Sequence, residues 1–282
     1  MAAPPTTVTQ GIPATEDSRS VAIAFEDVVL GFEGKTVLDG ISFRLDRGET
    51  KALFGVAGSG KSTILKLALG LLKPDAGHIY VLGEDVTRMR EEDLFELRRK
   101  IGMVFQESAL FDSMAVRENV AFRLLEEGMV SEEEVDRPVR EALSFVELEN
   151  TVDMFPSELS GGMRRRVAIA RAIITHPEIL LYDSPTGGLD PVTSTTIIEL
   201  IVKQRDVYRT SSLMVTHRLQ DAFMMATHYF DRKTNQMQLL PPGERGDVPM
   251  GFLILRDGKI IFDGDAHELA QTEDEYIREY IA

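Results

Sequence analysis

Gly55-Val56-Ala57-Gly58-Ser59-Gly60-Lys61-Ser62 joins an apolar run, Thr50 to Val56, to a helical pattern, Lys61 to Gly70. The octet fits G-x-x-x-x-G-K-[ST] without a mismatch, and it stands where that motif must stand, between a strand and a helix. The glycines let the backbone curl so that successive N–H groups point at phosphate oxygens. The helix N-terminus adds its partial positive charge. Lys61 is then the residue that reaches the β- and γ-phosphates, and the Ser62 hydroxyl is a Mg²⁺ ligand. Thr63 follows as a further phosphate-site candidate. The bland alternative is a glycine-rich turn that binds nothing, and the flanking strand and helix argue against it.

Working outwards, strand patterns alternate with helical ones. Val21 to Phe25 and Ile41 to Leu45 read as strands, with Glu33-Gly34 or Asp39-Gly40 as turn signals. Gly77 to Leu82, Ile101 to Phe105, Glu178 to Asp183 and Ser212 to Thr216 read as further strands. Helical patterns cover Glu91 to Lys100, Pro191 to Tyr208 and Leu219 to Ala226. That alternation predicts an α/β domain with a largely parallel sheet. The stretch from Glu107 to Leu159 contains only helical patterns, Ala115 to Leu125 and Ser131 to Leu148. The second opens with a capping-box arrangement, Ser131-Glu132-Glu133-Glu134, with Pro138 as an early breaker. This stretch reads as a helical lobe inserted into the α/β core. Thr234 to Pro249, with Pro241-Pro242-Gly243, reads as a polar surface loop. Gly251 to Arg256 and Lys259 to Asp263 read as a hairpin around Asp257-Gly258. Met1 to Ser20 is rich in Pro, Thr, Ala and Ser and reads as a disordered tail.

A second glycine motif, Leu159-Ser160-Gly161-Gly162-Met163, precedes the helical pattern Ser160 to Thr175. Ser160 is a good N-cap and the glycines expose backbone donors; alone, the motif reads equally as an ordinary helix start. Downstream, the apolar strand Ile179-Leu180-Leu181-Tyr182 ends in Asp183. A carboxylate at a strand end suits Mg²⁺ ligation opposite a phosphate loop.

In this order the motifs resemble those of ABC transporter ATPase domains, over nearly everything from Val21 to about Gly264. Leu159 to Met163 is similar to the family signature, with Met163 where Gln is most usual. The resemblance implies a P-loop, RecA-like ATPase core with an inserted helical lobe, about 107–159, and a small antiparallel β portion. The domain would span residues 21–282, with a surface insertion at about 231–250. Gln106 matches the Q-loop glutamine that approaches Mg²⁺ and the attacking water, and Asp183 the Walker B aspartate. Gly188-Leu189-Asp190 matches the D-loop, and His217 the switch histidine at the γ-phosphate. Phe32 stands where the family stacks an aromatic on adenine. Each has a bland counterpart: Gln106 as a loop residue, His217 as a satisfied strand-end histidine, Phe32 as core. His78, His176, His228 and His267 lack metal-ligand spacing.

The family places Glu directly after the Walker B aspartate, to polarise water. Here the residue is Ser184, which cannot act as a base at neutral pH without activation. The resemblance therefore implies two outcomes: an ATPase that is slow, with Asp183, Ser184, His217, Gln106 and Lys61 as its catalytic set, or a nucleotide-gated clamp with little hydrolysis. In the family, two such domains sandwich two ATP molecules, each site using Lys61 of one subunit with Ser160 and Gly162 of the other. Gly102 to Phe122 is most similar to the ATPases of Mla/MCE-type lipid transport systems. That implies an integral-membrane permease and an MCE-domain protein as partners, and a place on the cytoplasmic face of the inner membrane. Leu110, Phe111, Met114 and Val116 are apolar where the permease would dock, at a position that otherwise should be wet.

Composition is consistent with this. Lys plus Arg is 31 and Asp plus Glu is 46, a net charge of −15. So acidic a chain makes a poor phosphate-backbone binder, and no nucleic-acid partner is expected. The basic run Arg164-Arg165-Arg166 with Arg171 reads as a solvated helix face with ion pairs, or, near a bound triphosphate, as a group that shapes the local potential. No apolar run approaches the ~20 residues that span a bilayer, and Met1 to Ser20 has no apolar segment of a secretory signal. There is no cysteine, which excludes disulfides and thiolate metal sites.

Overall fold

The computed structural model describes residues 21–129, 131, 133–241, 246 and 248–281. The tail expected at Met1 to Ser20 lies outside these residues, as do Glu132, Pro242 and Gly243.

Two larger sheets organise the fold. Strands β1 (Val21–Phe32), β2 (Lys35–Asp46), β4 (Ala76–Val81) and β5 (Glu84–Asp85) form an antiparallel sheet in the order β2-β1-β4-β5. A six-stranded sheet runs β12-β11-β3-β8-β7-β6, from β3 (Thr50–Phe54), β6 (Ile101–Val104), β7 (Ile179–Asp183), β8 (Ser211–Val215), β11 (Met250–Arg256) and β12 (Lys259–Gly264). Its four pairings other than β11–β12 are parallel, and β12 closes the edge antiparallel. Strands covered on both faces are buried without alternation, as β3, β7 and β8 are, each with an apolar run of at least three residues.

Two hydrophobic clusters cover the two faces of this sheet. Successive residues of one strand divide between them: Ala52 and Phe54 enter one, Leu53 the other; Leu180 and Tyr182 enter the first, Ile179 and Leu181 the second. Helices α1 (Lys61–Ala68) and α2 (Glu91–Arg98) pack on the second cluster. The first holds α3 (Val116–Glu126), α4 (Asp136–Phe145), α5 (Gly161–Ile173), α6 (Pro191–Tyr208) and α7 (Leu219–Thr227), together with α8 (Ala266–Ala270) and α9 (Glu275–Ile281). Helices α3 and α4 and two short 3₁₀ turns lie between β6 and β7, where the sequence shows only helical patterns.

The structure corrects several expectations. The hairpin turn is at Glu33-Gly34, both at positive φ; Gly40, at φ 69°, sits within β2 where its pairing with β1 is irregular. The helix expected over Ser131 to Leu148 is shorter, Asp136–Phe145. Ser131 and Glu134 do bond each other, at 2.8 Å, but they cap a turn that precedes the helix. Pro138 falls in the first turn of α4, where its missing N–H has no intrahelical partner to lose. The polar stretch after Thr234 is not all loop: β10 (Gln236–Leu239) pairs antiparallel with β9 (His228–Asp231). His228-Tyr229-Phe230-Asp231 has no period-two pattern, and the alternation of Gln236-Met237-Gln238-Leu239 is only four residues long, too short to announce a strand by itself. Val116 is fully buried and faces the core, so it is not available to a partner.

Candidate functional site

The phosphate loop leaves the end of β3 and enters α1 through Gly60, at φ 100°. A Cβ there would stand 2.9 Å from Val37 Cγ1, so only glycine lets the loop lie against β2. No side chain caps α1 and its first turn carries no acidic residue. Its first amides are therefore open to an anion. Lys61 is buried, and its Nζ donates to Gly55 O and Val56 O, both at 2.8 Å. Burial pushes its pKa below the ordinary lysine value, and the Asp183 carboxylate opposes that shift. Ser62 Oγ donates to Asp183 Oδ1 at 3.1 Å, joining the first turn of α1 to the end of β7.

Phosphate and Mg²⁺ fit these groups. Ser59 Oγ, inside the loop, is buried without a hydrogen-bond partner, an orphan that a phosphate oxygen would satisfy. Ser62 and Asp183 offer hard oxygen donors side by side. Among the described residues no three His, Asp or Glu gather as a metal cluster. Mg²⁺, which binds through one or two protein oxygens plus phosphate and water, matches the Ser62–Asp183 pair.

Ser184 follows Asp183 with φ 47° and is buried. Its N–H donates to Val215 O at 2.8 Å, and its carbonyl accepts from Arg165 Nη1 at 3.0 Å and from the Gly187 amide at 2.9 Å. A Cβ at Gly187 would lie 3.4 Å from Ser184 Cβ and 3.7 Å from Gln106 Cγ, so Ser184 and Gln106 meet across this glycine. Gln106 is exposed on the loop after β6. Arg171 anchors that loop by donating to Ser108 O and Ala109 O, both at 2.7 Å. His217 is exposed just beyond β8, two residues after the Val215 carbonyl that holds Ser184. Phe32, 46 % exposed, ends β1 opposite Lys35, on the hairpin whose second strand touches Gly60.

The signature residues gather elsewhere. Ser160 caps α5, accepting from the Met163 amide at 3.2 Å. The nearest groups to Gly161 and Gly162 are Leu189 and Thr193; a Cβ at Gly162 would stand 2.4 Å from Thr193 Cγ2. Asp190 caps α6, accepting from the Thr193 amide at 3.0 Å. One chain thus carries two separate groups, the phosphate loop with the β7 and β8 ends, and the signature with the start of α6. Arg165 and Arg171, expected on a solvated helix face, are instead committed to main-chain oxygens, and Arg218 contributes without belonging to any motif. Their bonds go to main-chain oxygens or to side chains distant in sequence, and no local motif marks that.

The ABC transporter family model matches residues 38–187, more than half of the chain. The chain belongs to the ABC transporter family. Its solved relatives include a dimeric ATP-binding cassette, MJ0796, in a post-hydrolysis state bound to ADP and Pi. That structure shares 28 % identity at a TM-score of 0.72 and covers 86 % of this chain and 98 % of the cassette. The protein TRIGALACTOSYLDIACYLGLYCEROL 3, chloroplastic, of Arabidopsis thaliana is 38 % identical over 94 % of this chain and 74 % of its own. The intermembrane phospholipid transport system ATP-binding protein MlaF of Haemophilus influenzae is 31 % identical over 85 % and 82 %. The methionine import ATP-binding protein MetN of Bifidobacterium longum is 37 % identical over 70 % of this chain and 51 % of its own. The chain is therefore an ABC ATPase subunit that binds ATP, similar to the ATP-binding subunits of Mla lipid transporters. No helix among the described residues is long and apolar enough to cross a membrane.

Proposed function

We propose that this ATPase works as one of a pair that closes around two ATP molecules and drives a permease moving phospholipid between membranes. The observation that carries the catalytic part is the meeting of Lys61, Ser62 and Asp183 at the mouth of an uncapped helix. When ATP enters, Lys61 exchanges its two loop carbonyls for the β- and γ-phosphates, and the open amides of α1 take the remaining oxygens. Ser62, Asp183 and Gln106 would hold Mg²⁺, which supplies positive charge across the phosphates. Ser184, Gln106 and His217 hold the attacking water. Phe32 receives the adenine. Ser160, Gly161 and Gly162 of the second copy meet the γ-phosphate, with Asp190 alongside, so each active site is complete only in the dimer.

The lipid assignment is supported by MlaF and the Arabidopsis protein, which align over most of both chains, whereas MetN aligns over about half of its own length. An MCE-domain protein and a permease are the partners this reading entails. It places the chain on the cytoplasmic face of the inner membrane, held there by the permease. A second reading, a nucleotide-gated clamp, is favoured by Ser184 alone.

The test is phosphate release and ATP affinity of wild type and Lys61→Ala. Losing hydrogen bonds to a charged group costs roughly 1.5–3 kcal/mol, about ten- to hundredfold in Kd. Lys61→Ala is expected to show that loss and no turnover. Equal ATP affinity in the two proteins would sink the assignment of the loop. ATP-driven dimerisation without phosphate release from wild type would leave the clamp.

A further inference from the structure

Arg218, directly after His217, lies in a polar network that no sequence motif announces. Its backbone N–H donates to Thr216 Oγ1 at 3.0 Å, and its Nη1 donates to Ser194 Oγ at 2.8 Å. Its Nε stands 3.5 Å from Asp221 Oδ1. The other carboxylate oxygen of Asp221 accepts from the Thr186 hydroxyl. Thr186, Thr216, Ser194 and Asp221 are all at most 2 % exposed. Burial raises the Asp221 pKa, while the Thr186 hydroxyl, Arg218 and His217 pull it down.

These four contacts join three segments. Thr186 belongs to the turn after β7, two residues from Ser184. Thr216, Arg218 and Asp221 flank and follow His217. Ser194 is in the first turn of α6, its amide bonded to Asp190 O at 2.9 Å, and its neighbour Thr193 fills the space over Gly162. A displacement of the α6 start, or of the signature glycine resting on Thr193, reaches His217 through one side chain.

We infer that Arg218 is a positioning residue, whose bridge to Ser194 sets His217 according to where the start of α6 stands. The inference deepens the proposed function and rests on its reading of His217 at the γ-phosphate. Arg218 does not touch the reacting atoms. His217 is exposed and exerts an electrostatic pull on Asp221; its backbone is tied on one side by the Thr216 amide to Leu53 O at 3.1 Å and on the other by the Arg218 amide to Thr216 Oγ1. The bridge to α6 therefore fixes the side of His217 that the sheet does not.

The experiment is a double-mutant cycle on the full chain, with Ser194→Ala, Arg218→Met and both together, scored by kcat, KM for ATP and melting temperature. A misplacement of catalytic groups by about an ångström costs on the order of a hundredfold. Each single variant is expected to lower kcat by roughly ten- to hundredfold with KM for ATP nearly unchanged. The double variant should fall no lower than the worse single, because both remove the same link. Arg218→Lys, which keeps a donor for Ser194, should recover part of the loss. Wild-type kcat in Ser194→Ala overturns the inference. So do losses that multiply in the double variant, or a rise in KM that tracks a fall in melting temperature. Lys61→Ala and His217→Ala separate the failures. If either keeps wild-type turnover, or wild type releases no phosphate, the reading of the site falls and the bridge with it. If both abolish turnover while Ser194→Ala does not lower it, the bridge alone falls.

Discussion

Ser184 has its backbone fully committed: the N–H to Val215, the carbonyl to Arg165 and Gly187. Only its hydroxyl is left for a reactant, and an unactivated hydroxyl is no base at neutral pH. In the proposed site, hydrolysis would then lean on charge stabilisation by Lys61, by the metal that Ser62 and Asp183 would hold, and by open amides. A positioned general base contributes about 10²–10⁴-fold. Ser184→Glu is therefore expected to raise kcat, by up to that range, with ATP affinity little changed in a binding titration. A drop in kcat would mean that another group already activates water and is crowded by the new carboxylate. Lys61, Ser62 and Asp183 were legible in the sequence because each belongs to a contiguous motif at a strand end. Arg165 was read as part of a solvated helix face. It is buried because its guanidinium reaches the Ser184 and Gly187 carbonyls, 19 and 22 residues away, and burial pulls its pKa down. A partner that is a main-chain oxygen leaves no mark in residue type.

At the scale of elements, the loop between β6 and α3 is where the proposed permease contact would fall. Asn119, fully buried, accepts from the Phe111 amide and donates to the Phe111, Met114 and Ala115 carbonyls at 2.9–3.2 Å. One side chain thereby holds the loop in shape. Phe111 is left 40 % exposed, its ring centroid 4.7 Å from that of Phe122. Met114 is half-buried, and Leu110 packs on the core. Phe111→Glu is expected to release the subunit from membranes carrying the permease without lowering its melting temperature by more than a few degrees, because an exposed ring contributes little to folding. Membrane fractionation and a thermal melt check the two halves. A collapse of the melt would assign Phe111 to the core. The alternation of strands and helices, and the helical block after β6, were readable from period alone. The β9–β10 pair was not, because its strands are four residues each, the first without alternation and the second with too few residues for its alternation to stand out. The C-terminal helices α8 and α9 were also missed; they are five and seven residues long, too short for a helical period to emerge.

For the molecule as a whole, the separation of the signature group from the phosphate loop decides how a second copy must act. Ser160 has two separable duties. Within the chain it caps α5 through Met163, a contact worth about 1 kcal/mol. Between chains, in the proposed dimer, it would offer its hydroxyl to the γ-phosphate of the partner's ATP. Removing the side chain confounds the two. Ser160→Asp separates them, because aspartate caps a helix as well as serine does and its charge suits the helix N-terminus. The same charge, set against a triphosphate across a dry interface, repels it. The variant is expected to melt like wild type and to bind ATP with wild-type affinity as a monomer. It should then fail to dimerise when ATP and Mg²⁺ are added, and phosphate release should be lost with the dimer. Sizing by light scattering, with and without ATP, reads the assembly directly. Each copy carries a net charge of −15, so two copies repel at low ionic strength and the comparison belongs near physiological salt, where the screening length is about 8 Å. Wild-type dimerisation by Ser160→Asp would show that the signature serine does not face the partner's phosphate, whatever Lys61 does at its own.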